Sequence, residues 1–485
     1  MKNIFFSLVL FCLITNCQGQ SITGNWEGSL NVQGTSIPII FHIYKDSTAN
    51  YTATFDSPKQ NAFNLACSNV IVVKDSVFLM MQLIKGKYSA KLNGAFDQLT
   101  GVWQQGSASL PLDMKRTSDV ATEKKVNRPQ TPKPPYPYKS EEVTYFNADK
   151  SIQFGATFTV PLPEPGVEYF RAPVYPTVIL ITGSGQQDRD ETIFNHKPFA
   201  VMADYLTRQG IAVLRVDDRG IGKTSGNFSI STTADFEKDV ETGIEYLKTR
   251  QDVDTGNIGL IGHSEGGMIA PMVAAERKDV KFIVLLAGPG VKISELMEQQ
   301  NVDVMAGAGI SKKDLDQFRL LYKELLALIL KNNDTATAKH LAADAFKKWQ
   351  EGKSASTVMN TTGVKDEKSM LIYINSLVAE FNKPWFNYFL KFNPADYLSK
   401  VNCPVLALNG EKDIQVAVIE NLEAIQGVLA KTNNRKYKTK LMPGLNHLFQ
   451  HCKTCTVNEY AELEETFDME TLKIISDWIK TDRFN

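Results

Sequence analysis

In the stretch NIGLIGHSEGGMIAPMVAA, residues 257–275, Ser264 stands between Gly262 and Gly266, after an apolar run and before a run of small and apolar residues. A serine hydroxyl attacks a carbonyl only when a base removes its proton, and the base needs an acid to hold its tautomer. The chain has six histidines. His447, in LMPGLNHLFQ, follows the predicted last strand and is read as the base, with His451 as its rival; His42, His196, His263 and His340 are read as structural or pocket-lining. Asp413 follows the strand CPVLALNG and gives the chain order Ser264, Asp413, His447; Glu411 is the alternative acid. A tetrahedral intermediate also needs two N–H donors. One is expected from the backbone of Glu265, directly after the serine. The other is assigned to Gly185, among Gly183, Ser184 and Gly185 of GSGQQD, because glycine lets a backbone approach a substrate closely. That loop lacks the Gly-Lys-Ser/Thr that would complete a phosphate cradle.

These residues need elements to hold them. PTVILIT, GIAVLRVD, NIGLIGH, KFIVLLAG and CPVLALNG read as fully apolar strands, and KPFAVMADYLTRQ and TADFEKDVETGIEYLKTR as helices between them. Apolar strands alternating with helices predict a mostly parallel sheet covered on both faces. Ser264 then falls at a strand-to-helix junction, the nucleophile elbow, where a sharp turn frees the hydroxyl and the helix start directs its N–H groups to the same point. From about residue 291 to 400 the pattern is helical throughout and predicts a cap inserted over the strand ends.

The segments ITGSGQQDRDETIFNHKPFAVMADYLTRQGIAVLRVDDRGIGKTSG, IGLIGHSEGGMIAP, LLAGPG, CPVLALNGEKD and GLNHLFQ resemble the α/β-hydrolase superfamily, and within it the EstD-type bacterial carboxylesterases, which are grouped with serine aminopeptidase-like hydrolases. The resemblance covers about residues 141–485. It implies a Ser-Asp-His hydrolase of carboxylic esters with no metal or organic cofactor, and an extra N-terminal domain. Small-molecule esters with short-to-medium acyl groups are the expected substrates. The alternatives are a serine aminopeptidase or amidase using the same triad and, in a different class, a non-catalytic cell-surface binding protein on a vestigial hydrolase scaffold.

The fold expected is therefore an α/β-hydrolase domain at 141–485, with its cap at about 291–400, preceded by a small antiparallel β barrel or sandwich at 20–117. Short alternating runs such as SIPIIFHIY and KYSAKLNGAF support the β domain, and GNWEGSL and LTGVWQQG supply tryptophans for its core. Between the two lies residues 118–140, with five prolines from Pro129 to Pro137, read as an extended linker. Residues 1–19, with Lys2 and an apolar stretch from Ile4 to Ile14, read as a secretory signal, with Cys17 as an alternative lipidation point. The chain is thus expected to be exported, periplasmic or secreted, without a membrane span. A formal net charge of −1 provides no basic field for nucleic acid.

Three further groups are open. Asp188, Arg189, Asp190, Asp217, Asp218 and Arg219 read as buried ion pairs or as substrate contacts, and Glu265 is expected to pair with an arginine of these loops rather than hold a substrate ammonium. Trp385 and Phe386, in PWFNYFLKF, read as cap core or as a wall of the acyl pocket. Cys452 and Cys455 form a local disulfide or remain two thiols; zinc would need further ligands that their neighbourhood lacks.

Overall fold

The computed structural model describes residues 21–481 except 33–34, 47–48, 59–61, 82–83, 85, 106–107, 119–125, 164, 167–171, 333, 433 and 435. The expected signal segment and Cys17 lie outside the described residues. The chain divides into two units, 1–123 and 124–485.

In the first unit, strands with period-2 alternation pair in sequence. β1 (Gly24–Val32), β2 (Thr35–Lys45), β3 (Tyr51–Ser57) and β4 (Ala62–Ala66) run outward on one side. β5 (Asn69–Val73), β6 (Ser76–Met81), β7 (Gly86–Leu92), β8 (Gln98–Gln105) and β9 (Ala108–Thr117) return to close against β1. The result is one nine-stranded antiparallel sheet. β3 also packs against β5, so the sheet curls like a barrel around one apolar core. Trp26 and Trp103 are buried in that core, as their spacing predicted.

The second unit contains an eight-stranded sheet. Its strands are β10 (Tyr138–Phe146), β11 (Gln153–Pro161), β12 (Tyr175–Ile181), β13 (Ala212–Val216), β14 (Val253–His263), β15 (Val280–Leu286), β16 (Val405–Gly410) and β17 (Tyr437–Met442), ordered β10-β11-β13-β12-β14-β15-β16-β17. The pairs from β13 to β17 are parallel; β10 and β11 form an antiparallel edge. One face is covered by α1 (Pro198–Arg208) and α12 (Met469–Lys480), through Phe199, Met202, Leu206, Ile475 and Trp478. The other is covered by α2 (Thr233–Lys248), α3 (Gly266–Glu276) and α11 (Val418–Leu429). Two covered faces explain why these strands are apolar without alternation.

The cap comprises α4 (Ile293–Gly307), α5 (Lys312–Lys331), α6 (Thr335–Gln350), α7 (Ala355–Thr362), α8 (Glu367–Phe381), α9 (Pro384–Lys391) and α10 (Ala395–Leu398). Its own core includes Leu321, Leu325, Phe346 and Val378. A second cluster joins Phe389 and Phe392 to Met268 and Met272 of α3. α3 is apolar all round because it lies between the sheet and the cap.

The proline-rich segment departs from the expectation of an extended linker over 118–140. From residue 126 it is held to the second unit: Arg128 donates to the carbonyls of Leu463, Ala461 (2.9 Å) and Phe194 (3.0 Å), and Gln130 donates to Phe467 O at 2.6 Å. Proline removes local donors, but the polar side chains between prolines serve loop carbonyls that have no ladder partner.

Candidate active site

The parallel register places four loops at one end of the sheet. Ile181 lies opposite Gly262, His263 opposite Leu286, and Gly410 opposite Met442, so the segments that follow β12, β14, β16 and β17 emerge together. Ser264, Asp413 and His447 lie on three of them.

Ser264 follows β14 with φ +53°, a left-handed conformation uncommon for a residue with a side chain. Its N–H donates to Leu286 O at 2.9 Å, and its carbonyl accepts from Gly267 N at 2.8 Å as α3 begins. The flanking glycines are required sterically. A Cβ on Gly262 would lie 1.9 Å from Gly266 O, and one on Gly266 2.2 Å from Ile181 O. The turn therefore exists only with glycine at both places, and it leaves Ser264 half-buried among buried neighbours.

Asp413 is buried, and its two oxygens have separate partners. Oδ1 accepts the backbone N–H groups of Gln415 (2.8 Å) and Val416 (2.9 Å), which orients the carboxylate. Oδ2 accepts from His447 Nδ1 at 2.8 Å and from Asn409 Nδ2 at 3.3 Å. With Nδ1 facing a carboxylate, the His447 proton is held on Nδ1 and Nε2 keeps its lone pair. Glu411 is exposed and binds Gly444 N at 2.9 Å, so it is not the acid that serves His447. His451, the rival base, is exposed and paired with Glu465 at 3.0 Å. His196 is buried against Thr466 and Tyr460 O, and burial pushes its pKa down to about 4.

Glu265 corrects an expectation. It does not pair with an arginine: its Oε1 accepts from Thr233 Oγ1 at 2.7 Å and from Trp385 Nε1 at 2.9 Å. The nearby arginines are taken by aspartates, Arg189 by Asp217 (2.6 Å), Arg215 by Asp190 and Arg219 by Asp239 (2.7 Å). Of the six residues, Arg189, Asp190, Asp217 and Arg219 are in ion pairs, whereas Asp188 and Asp218 accept from backbone N–H groups and threonine hydroxyls. Burial pushes the Glu265 carboxyl up to about 7. Asp218, which accepts from Thr182 Oγ1 and Gln187 N, is likewise pushed up to about 7 by burial, with the Glu265 and Glu191 charges adding to it. Glu265, Asp218, Gly183 and Gly185 line a cavity of about 50 Å³ whose walls include Phe236 and Ile269.

Trp385 and Phe386 stand at the start of α9, half-buried, stacked on each other with ring centroids 5.5 Å apart and packed on the Met268–Phe389 cluster. Trp385 thus reaches the residue next to Ser264. Gly185 has φ +95°, and the N–H of Gly183 is already donated to Glu191 Oε1 at 2.7 Å, which removes Gly183 as an oxyanion donor. Cys452 and Cys455 are disulfide-bonded.

Two buried residues of the site were not assigned to it from sequence. His263, immediately before the nucleophile, places Nδ1 2.9 Å from Glu191 Oε1 and Nε2 3.0 Å from the carbonyl oxygen of His447. Their only signals in the sequence are a histidine inside the Gly-x-Ser-x-Gly turn and an acid at the end of QQDRDE, 72 residues apart in the chain.

A parallel sheet with an elbow serine after a central strand, an acid after β16, a histidine after β17 and a helical insertion between β15 and β16 gives the second unit the α/β-hydrolase fold. Residues 196–347 match the family described as serine aminopeptidase, S33. The matched stretch contains Ser264 but neither Asp413 nor His447. A curated relative, Esterase EstD of Thermotoga maritima, is 34% identical over 126 residues, which are 26% of this chain and 30% of the relative. The match therefore spans about a third of that esterase. Among solved structures, the Pyrococcus furiosus esterase Pf2001 aligns with a TM-score of 0.40 and 16% identity, over 74% of this chain and 97% of that one. Est1E of Butyrivibrio proteoclasticus, solved with ferulic acid, aligns with a TM-score of 0.37 and 18% identity, over 70% and 98%.

Proposed function

We propose that the protein hydrolyses carboxylic esters through an acyl-enzyme on Ser264. The observation that carries this is the buried Asp413–His447 contact of 2.8 Å, in a domain that also holds Ser264 left-handed at a glycine-flanked elbow. In the mechanism, His447 Nε2 takes the proton of Ser264 Oγ as that oxygen attacks the ester carbonyl, and returns it to the departing alcohol. Asp413 holds the imidazole and stabilises its positive charge. The oxyanion is received by the N–H of Glu265 at the start of α3 and by that of Gly185. A water molecule, activated by the same nitrogen, then releases the acid. No hydrogen bond joins Ser264 Oγ to His447 among the described residues; such contacts tighten when substrate binds.

The 50 Å³ cavity lined by Glu265 and Gly185 supports short acyl groups, and Trp385, bonded to Glu265 at 2.9 Å, is proposed with the stacked Phe386 as a wall of the acyl pocket on the cap side. A second reading, hydrolysis of aminoacyl esters or amides, is favoured by one observation: Glu265, next to Ser264, accepts from Thr233 and Trp385 and has no basic partner among the described residues. Phenyl esters sharing one leaving group, acetyl and butyryl against alanyl and leucyl, separate the two. Labelling by a fluorophosphonate that is lost in Ser264→Ala supports the serine mechanism. Equal labelling of that variant refutes it, and no labelling of wild type favours a non-catalytic binding protein. Residues 1–19 are proposed as an export signal, with mature N-terminal sequencing and a lipid-labelling assay at Cys17 as the test. No helix among the described residues is long and apolar enough to cross a membrane.

A further inference from the structure

We propose that Glu191 and His263 are positioning residues that share one buried proton and hold the nucleophile elbow, the oxyanion loop and the base-bearing loop in mutual register. The inference rests on the reading of Ser264 and His447 as nucleophile and base.

The hydrogen-bond roles are fixed by elimination. His263 Nε2 faces the carbonyl oxygen of His447, which can only accept, so Nε2 carries a hydrogen. His263 Nδ1 faces Glu191 Oε1, and that same oxygen already accepts the N–H of Gly183. Two lone pairs facing each other at 2.9 Å would repel, so a proton lies between Nδ1 and Oε1. The pair is then an imidazolium with a carboxylate, or a neutral imidazole with a protonated acid. Both side chains are almost wholly buried, at 6% and 2% exposure, so water does not substitute for either partner.

Three segments meet at this pair. Glu191, itself left-handed with φ +52°, and Gly183 belong to the loop after β12 that carries Gly185. His263 is the last residue of β14, one before Ser264. His447 lies beyond β17, its ring 4.8 Å from that of His263 between centroids. The groups facing His263 are Glu191, the carbonyl and ring of His447, Asp413 behind that ring, and the edge of Phe449. Burial disfavours an imidazolium here, but the Glu191 carboxylate and the His447 carbonyl outweigh it and raise the His263 pKa above its ordinary value. The proton is therefore held to a higher pH than on a free imidazole, and the register should loosen where it is lost.

Glu191→Gln tests this with little change of shape. At the point where two hydrogens converge, glutamine offers an oxygen or an amide nitrogen. The oxygen serves Gly183 and demands a protonated, uncompensated imidazole; the nitrogen serves a neutral imidazole and collides with the Gly183 N–H. The expected result is a kcat lower by about 10- to 100-fold with KM within about threefold, as for outer partners that orient reacting groups. The alkaline limb of the kcat–pH profile should move to lower pH. An independent readout is low-field proton NMR of the full-length protein, where two bridging protons are expected. Asp413→Asn should remove the one on His447, and Glu191→Gln the one on His263. A folded Glu191→Gln protein with wild-type kcat and an unmoved alkaline limb overturns the proposal. If the variant does not fold, the lack of a second low-field resonance in wild type overturns it. Full activity of Ser264→Ala would instead refute the triad while leaving the His263 resonance in place.

Discussion

Asp413→Asn is the substitution whose consequence the geometry determines most closely. The two backbone donors at Oδ1, Gln415 N at 2.8 Å and Val416 N at 2.9 Å, require an oxygen at that position. An asparagine must then direct its amide group at His447 Nδ1. That group donates, so Nδ1 must give up its hydrogen and the imidazole takes the other tautomer, with the proton on Nε2. The nitrogen that should accept the serine proton is then blocked. The amide also faces Asn409 Nδ2, which now approaches a second donor at 3.3 Å instead of a carboxylate. A change of tautomer in a serine triad costs about 10⁴-fold in kcat, or about 5.5 kcal/mol of transition-state stabilisation. Steady-state hydrolysis of a butyryl phenyl ester measures it, with circular dichroism to show that the variant is folded. KM should change by less than about threefold, because Asp413 touches no substrate. A loss of less than about tenfold in folded protein would refute the argument and show that the base is held by something other than Asp413.

Ser264→Ala and His447→Ala should each lower kcat by about 10⁴-fold or more in the same assay, and the double variant should be little worse, since the members act as a unit. Gly262→Ala places a Cβ 1.9 Å from Gly266 O and should abolish fluorophosphonate labelling and lower the melting temperature. Glu265 binds a proton more tightly folded than unfolded, so its contribution weakens stability as pH rises from about 4.5 toward about 7. Glu265→Gln should therefore melt about 2 °C or more above wild type at pH 8, with the gap closing at pH 5; a gap that widens toward pH 5 refutes the assignment. Residues 124–485 expressed alone should fold and keep ester turnover within about tenfold of the full chain, whereas a fragment starting at Ser140 lacks Arg128 and Gln130 and should melt lower.

Much of the site was legible because its signals are local. In a glycine-flanked serine between an apolar strand and a helix, the clash that requires Gly262 lies within five residues, although the one that requires Gly266 comes from Ile181, and the chain order of serine, acid and histidine follows from strands that end on one side of a parallel sheet. The cap was legible from a change of period, and the core tryptophans of the first unit from alternation. The proline segment was read from composition alone, and composition describes the backbone preference of residues 129–137 but not the partners that Arg128 and Gln130 find in residues 461–467.

What local signals do not carry is the assignment of charges to partners across the fold. Arg189 and Arg219 lie on the QQDRDE and VDDRG loops and Arg215 on β13, and the two loop arginines made an arginine pair the natural expectation for Glu265. Spatially each is already bound: Arg189 is forked between Asp217 and Glu142, Arg215 meets Asp190, and Arg219 binds Asp239 and Asp235. Among the described residues, Asp218 and Glu265 accept from neutral groups rather than from a cation. Glu265 stays buried by accepting hydrogen bonds from a neutral hydroxyl and an indole and by holding its own proton more tightly. The indole belongs to Trp385 of α9, so the same contact joins the cap to the elbow. An arginine at Glu265 would have fixed a charge beside the oxyanion side at every pH. A carboxyl pushed up to about 7 by burial makes the charge at that position depend on pH.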